Sequence, residues 1–321
     1  MPFQIIRQDI TKMKVDAIVN SADPKPIIGG GVDLAIHKAG GQNLVNARIA
    51  LGSIRTCEVK YTKAYLLPAK YVIHTVGPVW KENDPLQDRE LYLTYENSLR
   101  KALDLKCESI AFPLISAGVF AYPKEKAIEI ATKAIKDFLE NHEMMVYLVI
   151  FDQESYILSK TKHQDIQSYI DEFDVYQQDL KELDYFFNEV NLSKQITRMD
   201  EFDFLDDTWQ EALMKLIIES GETNASIYKK ANITKQLFSK ILKDKDYHPS
   251  KATAVAFCIA LELDLYESIE LLEKAGYQLS LSIRFDIIIR YYLEREIYDI
   301  FEINETLFEF DQELLGSTIL T

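Results

Sequence analysis

The stretch DAIVNSADPKPIIGGGVDLAIHKAGG, residues 16–41, decides the fold. It opens on Ala17-Ile18-Val19, an apolar run too continuous for a half-exposed strand. It then passes through three successive glycines, Gly29, Gly30 and Gly31, and continues as a helical pattern in which Val32, Ala35, Ile36 and Ala39 share one face. Glycines at a helix start let backbone N–H groups close on an anion, and the helix dipole adds to the attraction. Glycine runs also serve tight turns that hold no ligand, so the stretch alone leaves both uses open. A second passage repeats the order. Strand SIAFPLI runs into Ser116-Ala117-Gly118-Val119-Phe120, and a helix follows Pro123 with Ala127, Ile130, Ala131, Ala134, Ile135 and Phe138 at helical spacing. Two such loops can grip a diphosphate from both sides. Neither carries the GxxxxGK[ST] or GxGxxG pattern of other phosphate loops.

Working outward, Tyr71-Val72-Ile73, Ile110-Ala111-Phe112 and Tyr147-Leu148-Val149-Ile150-Phe151 are further buried strands, so the first half is an α/β domain. The second half differs in kind. Helical patterns over Trp209–Glu219, Ala252–Leu263 and Ile283–Arg295 dominate it and predict an all-α region. The expected division is 1–162 for the α/β domain, 163–207 for an acidic connector and 208–321 for the helical domain. Charge follows the same division: residues 1–150 hold 19 Lys/Arg against 17 Asp/Glu, while the whole chain carries a net −15, so the excess acid lies beyond residue 150. A chain this acidic is repelled by nucleic acid except where it is locally basic. Lys229 to Lys251, with seven lysines against two aspartates, is the one such place.

The longest uncharged apolar run, Ala254 to Leu261, is far short of the roughly 20 residues that span a bilayer, so no membrane partner is expected. The start MPFQIIRQDITK lacks the features of a secretion signal, and a cytoplasmic location is expected. Cys57, Cys107 and Cys258 are odd in number and never in a CxxC pair, and read as reduced thiols. No metal site is expected from the five histidines. His37 and His74, on apolar elements, read as packing residues.

Over its first 160 or so residues the chain resembles the macrodomains, a family that binds ADP-ribose and in some members removes it from proteins. The resemblance rests on QDIT (8–11), DAIVNSAD (16–23), GGGVDLAIHKAGG (29–41), LPAKYVIHTVGPVW (67–80), YENSLRKAL (95–103), SIAFPLISAGVFAYP (109–123) and VYLVIFD (146–152). It implies a three-layer α/β/α sandwich with a mixed sheet and a ligand cleft at its edge. It assigns Asp9, with Ile10 beside it, to the adenine amino group, a charge-assisted contact that selects adenine over guanine. Phe151 would meet the adenine ring. Gly30, Gly31, Val32 and the loop Ser116, Ala117, Gly118 and Val119 would take the diphosphate, with Phe120 on the distal ribose. Asn20 and Asp33 would face that ribose, and Asp33 would hold the attacking water. No cofactor is implied; ADP-ribose is ligand or product.

The chain departs from the family pattern in several places. The N-A-A-N signature is here Asn20-Ser21-Ala22-Asp23, which brings a second carboxylate towards Asp33 and is expected to raise one of the two pKa values. Ile28, Leu34, Ala117 and Ala121 replace smaller or polar family residues and are expected to narrow the cleft. Lys25, between Pro24 and Pro26, makes a stiff segment near the distal ribose. Residues 223–268 resemble the helix-turn-helix of the Cro and phage-repressor family, with Asn232 at the turn and Thr234 capping a recognition helix to Lys243. Lys235, Gln236, Ser239 and Lys240 would face outward, towards DNA or a protein partner. The apolar tail 287–310 either packs on the helical bundle or forms a homodimer seam. Three functions remain open: an ADP-ribosyl hydrolase, a non-catalytic ADP-ribose reader coupled to the helical domain, and a DNA-binding regulator.

Overall fold

The computed structural model describes residues 2–82, 84–150, 164–171, 207–244 and 247–316. The chain divides into two compact units, Met1–Leu158 and Ser159–Thr321.

The first unit is built on six strands: β1 (Phe3–Arg7), β2 (Val15–Ser21), β3 (Val59–Lys63), β4 (Ala69–Thr75), β5 (Ser109–Pro113) and β6 (Met145–Ile150). Their order is β1-β6-β5-β2-β4-β3, parallel except for the antiparallel β3. Helices α1 (Gly31–Gly40) and α2 (Gln42–Ala50) lead from β2 towards one edge; α3 (Gln87–Asp104) and α4 (Lys124–Asn141) lead towards the other. Right-handed crossovers that run in opposite directions place their helices on opposite faces, which gives the three layers. Strand alternation fills both. On the α1–α2 side, Ile18, Val72, Ala111 and Tyr147 pack with Ile36 and Leu44. Among the alternate residues, Phe112 sets its ring 5.2 Å from that of Tyr95 on α3.

All four central strand expectations hold over the described residues; Phe151, at the end of the fourth, lies outside them. The edge strands β1 and β3 have weak signals: FQIIR and VKYTK are short and part polar, and the lysines of β3 are what an edge strand carries to discourage further pairing. The face expected for α1 is corrected. Ala35 and Ala39 are exposed, and the buried stripe is Asp33, Ile36, His37 and Gly40. Gly40 is there because a Cβ would lie 2.3 Å from Leu44 Cδ2, and Asp33 and His37 turn inward because each finds a buried polar partner.

In the second unit the described elements are helices: 164–171 (α5), α6 (Trp209–Ser220), α7 (Asn224–Lys230), α8 (Lys235–Lys243), α9 (Lys251–Ala260), α10 (Leu265–Lys274), α11 (Arg284–Leu293) and α12 (Ile300–Glu309). Their starts follow local chemistry: Thr208, Thr223, Thr234, Ser250, Asp264 and Asp299 each accept a backbone N–H in the first turn. Asn232 takes the positive φ, 53°, that the turn between α7 and α8 requires. Of the acidic connector, residues 172–206 lie outside the described residues, while α5 docks Tyr169 on Glu294 at 2.6 Å. The apolar tail packs within this unit: Ile287, Ile288, Tyr292, Ile303 and Leu307 are all buried, and α12 lies against α9 and α11.

Candidate functional site

β2 and β5 are neighbours whose outgoing chains turn in opposite directions, and open α/β sheets bind ligands in the crevice left at such a point. A cleft of about 690 Å³ opens there, within the roughly 300–1,000 Å³ usual for small-molecule sites. One wall is the loop after β2 with the start of α1; the other is the loop after β5. Asp9 and Ile10 close one end, beside Val149 and Ile150 at the end of β6.

The two glycine loops stand as their sequences require. Gly30 caps α1, and Gly31 has φ +58°, a conformation that a β-branched residue adopts only under strain. A Cβ at Gly30, Gly31 or Gly118 would meet no atom within 4 Å, so the bare backbone faces open cleft. Ser116 also has positive φ, 66°, and its buried Oγ lacks a hydrogen-bond partner. Room for that hydroxyl comes from Gly77, where a Cβ would lie 2.2 Å from Ser116 Oγ. Val119 is exposed at the rim. Phe120 lines the cleft but rests on Ala22, Ile54 and Val76.

Asp9 lines the far end of the cleft. Its Oδ1 accepts from the Thr11 amide at 2.9 Å and hydroxyl at 2.7 Å, while Oδ2 has Lys12 Nζ at 3.5 Å. The Thr11 hydroxyl, more than any other group, holds this carboxyl below the ordinary value. Asp9 is therefore an anion with Oδ2 turned to a donor. Phe151 lies outside the described residues.

The polar centre is Asp33, 2% exposed on the first turn of α1. Asn20 Nδ2 donates to its Oδ1 at 2.6 Å, the Gly29 amide to its Oδ2 at 2.6 Å, and His37 Nδ1 lies 3.0 Å from Oδ1. Burial alone would raise this pKa, but the bonds from His37, Gly29 and Asn20 outweigh it and leave it below the ordinary carboxylate value. The rise expected for one of the two carboxylates is not found at Asp33. Asp23 also lines the cleft, and Gly29 separates the two carboxylates. Asp23 Oδ1 is occupied by the Lys25 amide at 2.8 Å. Asn20, expected to face the ligand, is fully buried and reaches Asp33 and His74 instead.

The narrowing expected from Ile28, Leu34 and Ala121 is also corrected. None of them lines the cleft, and Leu34 points to solvent; of the four substitutions only Ala117 is on its wall.

Three features escaped the sequence reading. His37 and His74 are buried as expected of packing residues, with rings stacked 5.7 Å apart, yet each also bonds to a polar group of the site. Arg48 is fully buried: Nη1 donates to the Gly52 carbonyl at 2.9 Å, and Nη2 to those of Asp23 at 2.7 Å and Lys25 at 3.0 Å. Its charge stands near both Asp33 and Asp23. Lys124, opening α4, adds a cation to the cleft lining; its place as the first helical residue after the second loop was the available signal.

In the second unit, Lys235, Gln236 and Lys240 are exposed on α8 and Ser239 is half-buried, while Phe238 and Ile241 face inward. Lys240 Nζ lies 5.6 Å from the centre of the Tyr247 ring.

Comparison with known proteins follows the first unit. The Macro domain family description matches residues 19–131. A Macro domain-containing protein of Methanosarcina mazei is 47% identical over 154 residues, covering 47% of this chain and 82% of that protein. An O-acetyl-ADP-ribose deacetylase of Escherichia coli is 43% identical over 157 residues, 47% of this chain and 89% of that enzyme. Among solved structures, an Oceanobacillus iheyensis macrodomain with ADP is 35% identical, covers 56% of this chain and 90% of its own, and has a TM-score of 0.46.

Proposed function

The chain belongs to the macrodomain family through its first unit, and from that premise we propose that its cleft binds ADP-ribose and hydrolyses the ester or glycosidic bond that joins it to a substrate. The observation that carries this reading is the Asp33 carboxylate, ionised and fixed at three points, on the lining of a cleft walled by two glycine loops at helix starts. The name of the E. coli relative, that of an enzyme removing an acyl group from this nucleotide, supports the class of reaction.

Residue roles follow from chemistry. Asp9 Oδ2 accepts the adenine amino group beside Ile10. Backbone N–H groups at Gly30, Gly31 and Val32, with the loop Ser116 to Phe120, hold the diphosphate. Asp33, a carboxylate throughout the neutral range, orients water by accepting one of its hydrogens and offsets positive charge that develops at the ribose carbon. Asn20 acts through Asp33, and Asp23 borders the leaving group. The reaction draws on water and these groups, with no metal or organic cofactor.

Calorimetric titration of the full chain with ADP-ribose tests the ligand. Asp9→Ala removes a charge-assisted hydrogen bond, which at about 1.5–3 kcal/mol lowers affinity roughly 10- to 100-fold. Equal affinity in wild type and variant would reject the assignment of Asp9. Release of product from acyl- and protein-linked ADP-ribose then separates a hydrolase from a reader that binds without turnover.

A second reading concerns α8, whose exposed Lys235, Gln236 and Lys240 stand in an otherwise acidic half of the chain. We infer that this face, resembling a recognition helix, contacts DNA. Anisotropy titrations against duplex DNA should show affinity that falls with salt, and Lys235→Ala with Lys240→Ala should reduce the salt slope by about one for each phosphate no longer neutralised. A flat salt response would turn attention to a protein partner or a second copy of the chain.

A further inference from the structure

Behind the Asp33 carboxylate a line of polar side chains runs back through the sheet. Asn20 on β2 and His74 on β4 are direct partners in the strand register. Asn20 Nδ2 lies 2.6 Å from Asp33 Oδ1 and 3.1 Å from His74 Nδ1, so its two hydrogens serve both. His74 Nε2 in turn lies 3.0 Å from Thr62 Oγ1 on the edge strand β3. Asn20, His74 and Thr62 are all buried.

These contacts fix the proton positions. Burial above all, with the charge of Arg48 beside it, pushes His74 down to about 3, so the ring is neutral. A neutral imidazole has one N–H and one bare nitrogen. Because Asn20 Nδ2 can only donate, the bare nitrogen is Nδ1, and the N–H is at Nε2, donating to Thr62. An asparagine amide can sit in either of two orientations, and the wrong one would set Oδ1 against both the Asp33 carboxylate and the bare Nδ1. Either juxtaposition of acceptors is repulsive, and His74 supplies one of the two.

We propose that His74, accepting at its bare Nδ1, is a positioning residue that locks the Asn20 amide and, through it, the Asp33 carboxylate in the orientation used for hydrolysis. The proposal rests on the hydrolase reading for its effect on turnover, but not for the geometry.

Two measurements on the full chain test it. Imidazole ¹⁵N shifts of the wild type should show a protonated Nε2 and a bare Nδ1 at His74; a protonated Nδ1 overturns the proposal whatever the protein hydrolyses. Kinetics then test the consequence. His74→Leu removes the acceptor and should lower kcat about 10- to 100-fold, the scale of a misplaced catalytic group, with ADP-ribose affinity nearly unchanged. His74→Asn places Oδ1 where Nδ1 stood and should recover most of the loss. Equal loss in both variants, or no loss in His74→Leu, overturns the positioning role. Should His74→Leu fail to fold, His74→Gln takes its place: its polar end reaches towards Nε2 and leaves no acceptor at Nδ1, so it should lower kcat where His74→Asn keeps most of it, and equal kcat in the two variants overturns the proposal. Absence of turnover in the wild type would sink the hydrolase reading alone, and the ¹⁵N result would then decide the positioning.

Discussion

Asp33→Ala is expected to lower hydrolysis by about 10²- to 10⁴-fold, the range for loss of a positioned acid or base group, while ADP-ribose still binds. The carboxylate is held on Oδ1 by Asn20 and His37 and on Oδ2 by Gly29. Its folded pKa is therefore depressed, despite burial that pushes the other way. The sign of the pH dependence follows. A depressed carboxyl contributes stability that is complete above its unfolded value near 4 and is lost as pH falls through the lower folded value. Asp33→Asn should flatten stability in that acid window and leave its pH dependence between 5 and 8 unchanged. Turnover of the wild type should likewise show no inflection from Asp33 across pH 5 to 8. Product release measured across that range, beside ADP-ribose titration of the variant, checks both; a fully active Asp33→Ala would remove Asp33 from the reaction.

The second large effect is structural. Arg48→Ala removes a buried guanidinium that ties three carbonyls of the loops at Asp23, Lys25 and Gly52. It also strips positive charge from beside Asp33 and Asp23. Removing one partner from a buried charged network costs about 3–5 kcal/mol, because the groups left behind are neither solvated nor paired. Arg48→Lys should recover only part of this, since a compact ammonium cannot span the carbonyls as the planar fork does. The chain has two tryptophans, Trp80 and Trp209, one in each unit. Urea denaturation read from Trp80 in a Trp209→Phe background therefore reports on the first unit. A loss below about 1 kcal/mol, the scale of a surface ion pair, would mean that Arg48 carries no such load.

The places of Asp9 and Asp33 on the cleft came with the resemblance to the macrodomains, whereas the residues alone established the class of the first half, its four central strands and the two loops. These are local features. A strand buried on both faces must be continuously apolar, and a glycine cradle must be written in glycine. The helix starts of the second unit were legible for the same reason, since Thr234 or Ser250 caps its own first turn.

What stands behind the loops follows from the packing of elements far apart in the chain. His74 lies 54 positions from Asn20 and Arg48 lies 25 from Asp23, and no periodicity connects residues that meet through strand pairing or loop return. The face of α1 was misread because apolar spacing favoured Ala35 and Ala39, whereas the packing buries Asp33 and His37. A buried polar side chain is stable only with its partner, and that partner is supplied by another element of the fold. The same holds for the cleft. Ile28 and Leu34 were expected to obstruct it by size, but their directions, set by the helix and the loop around them, carry both side chains off its wall.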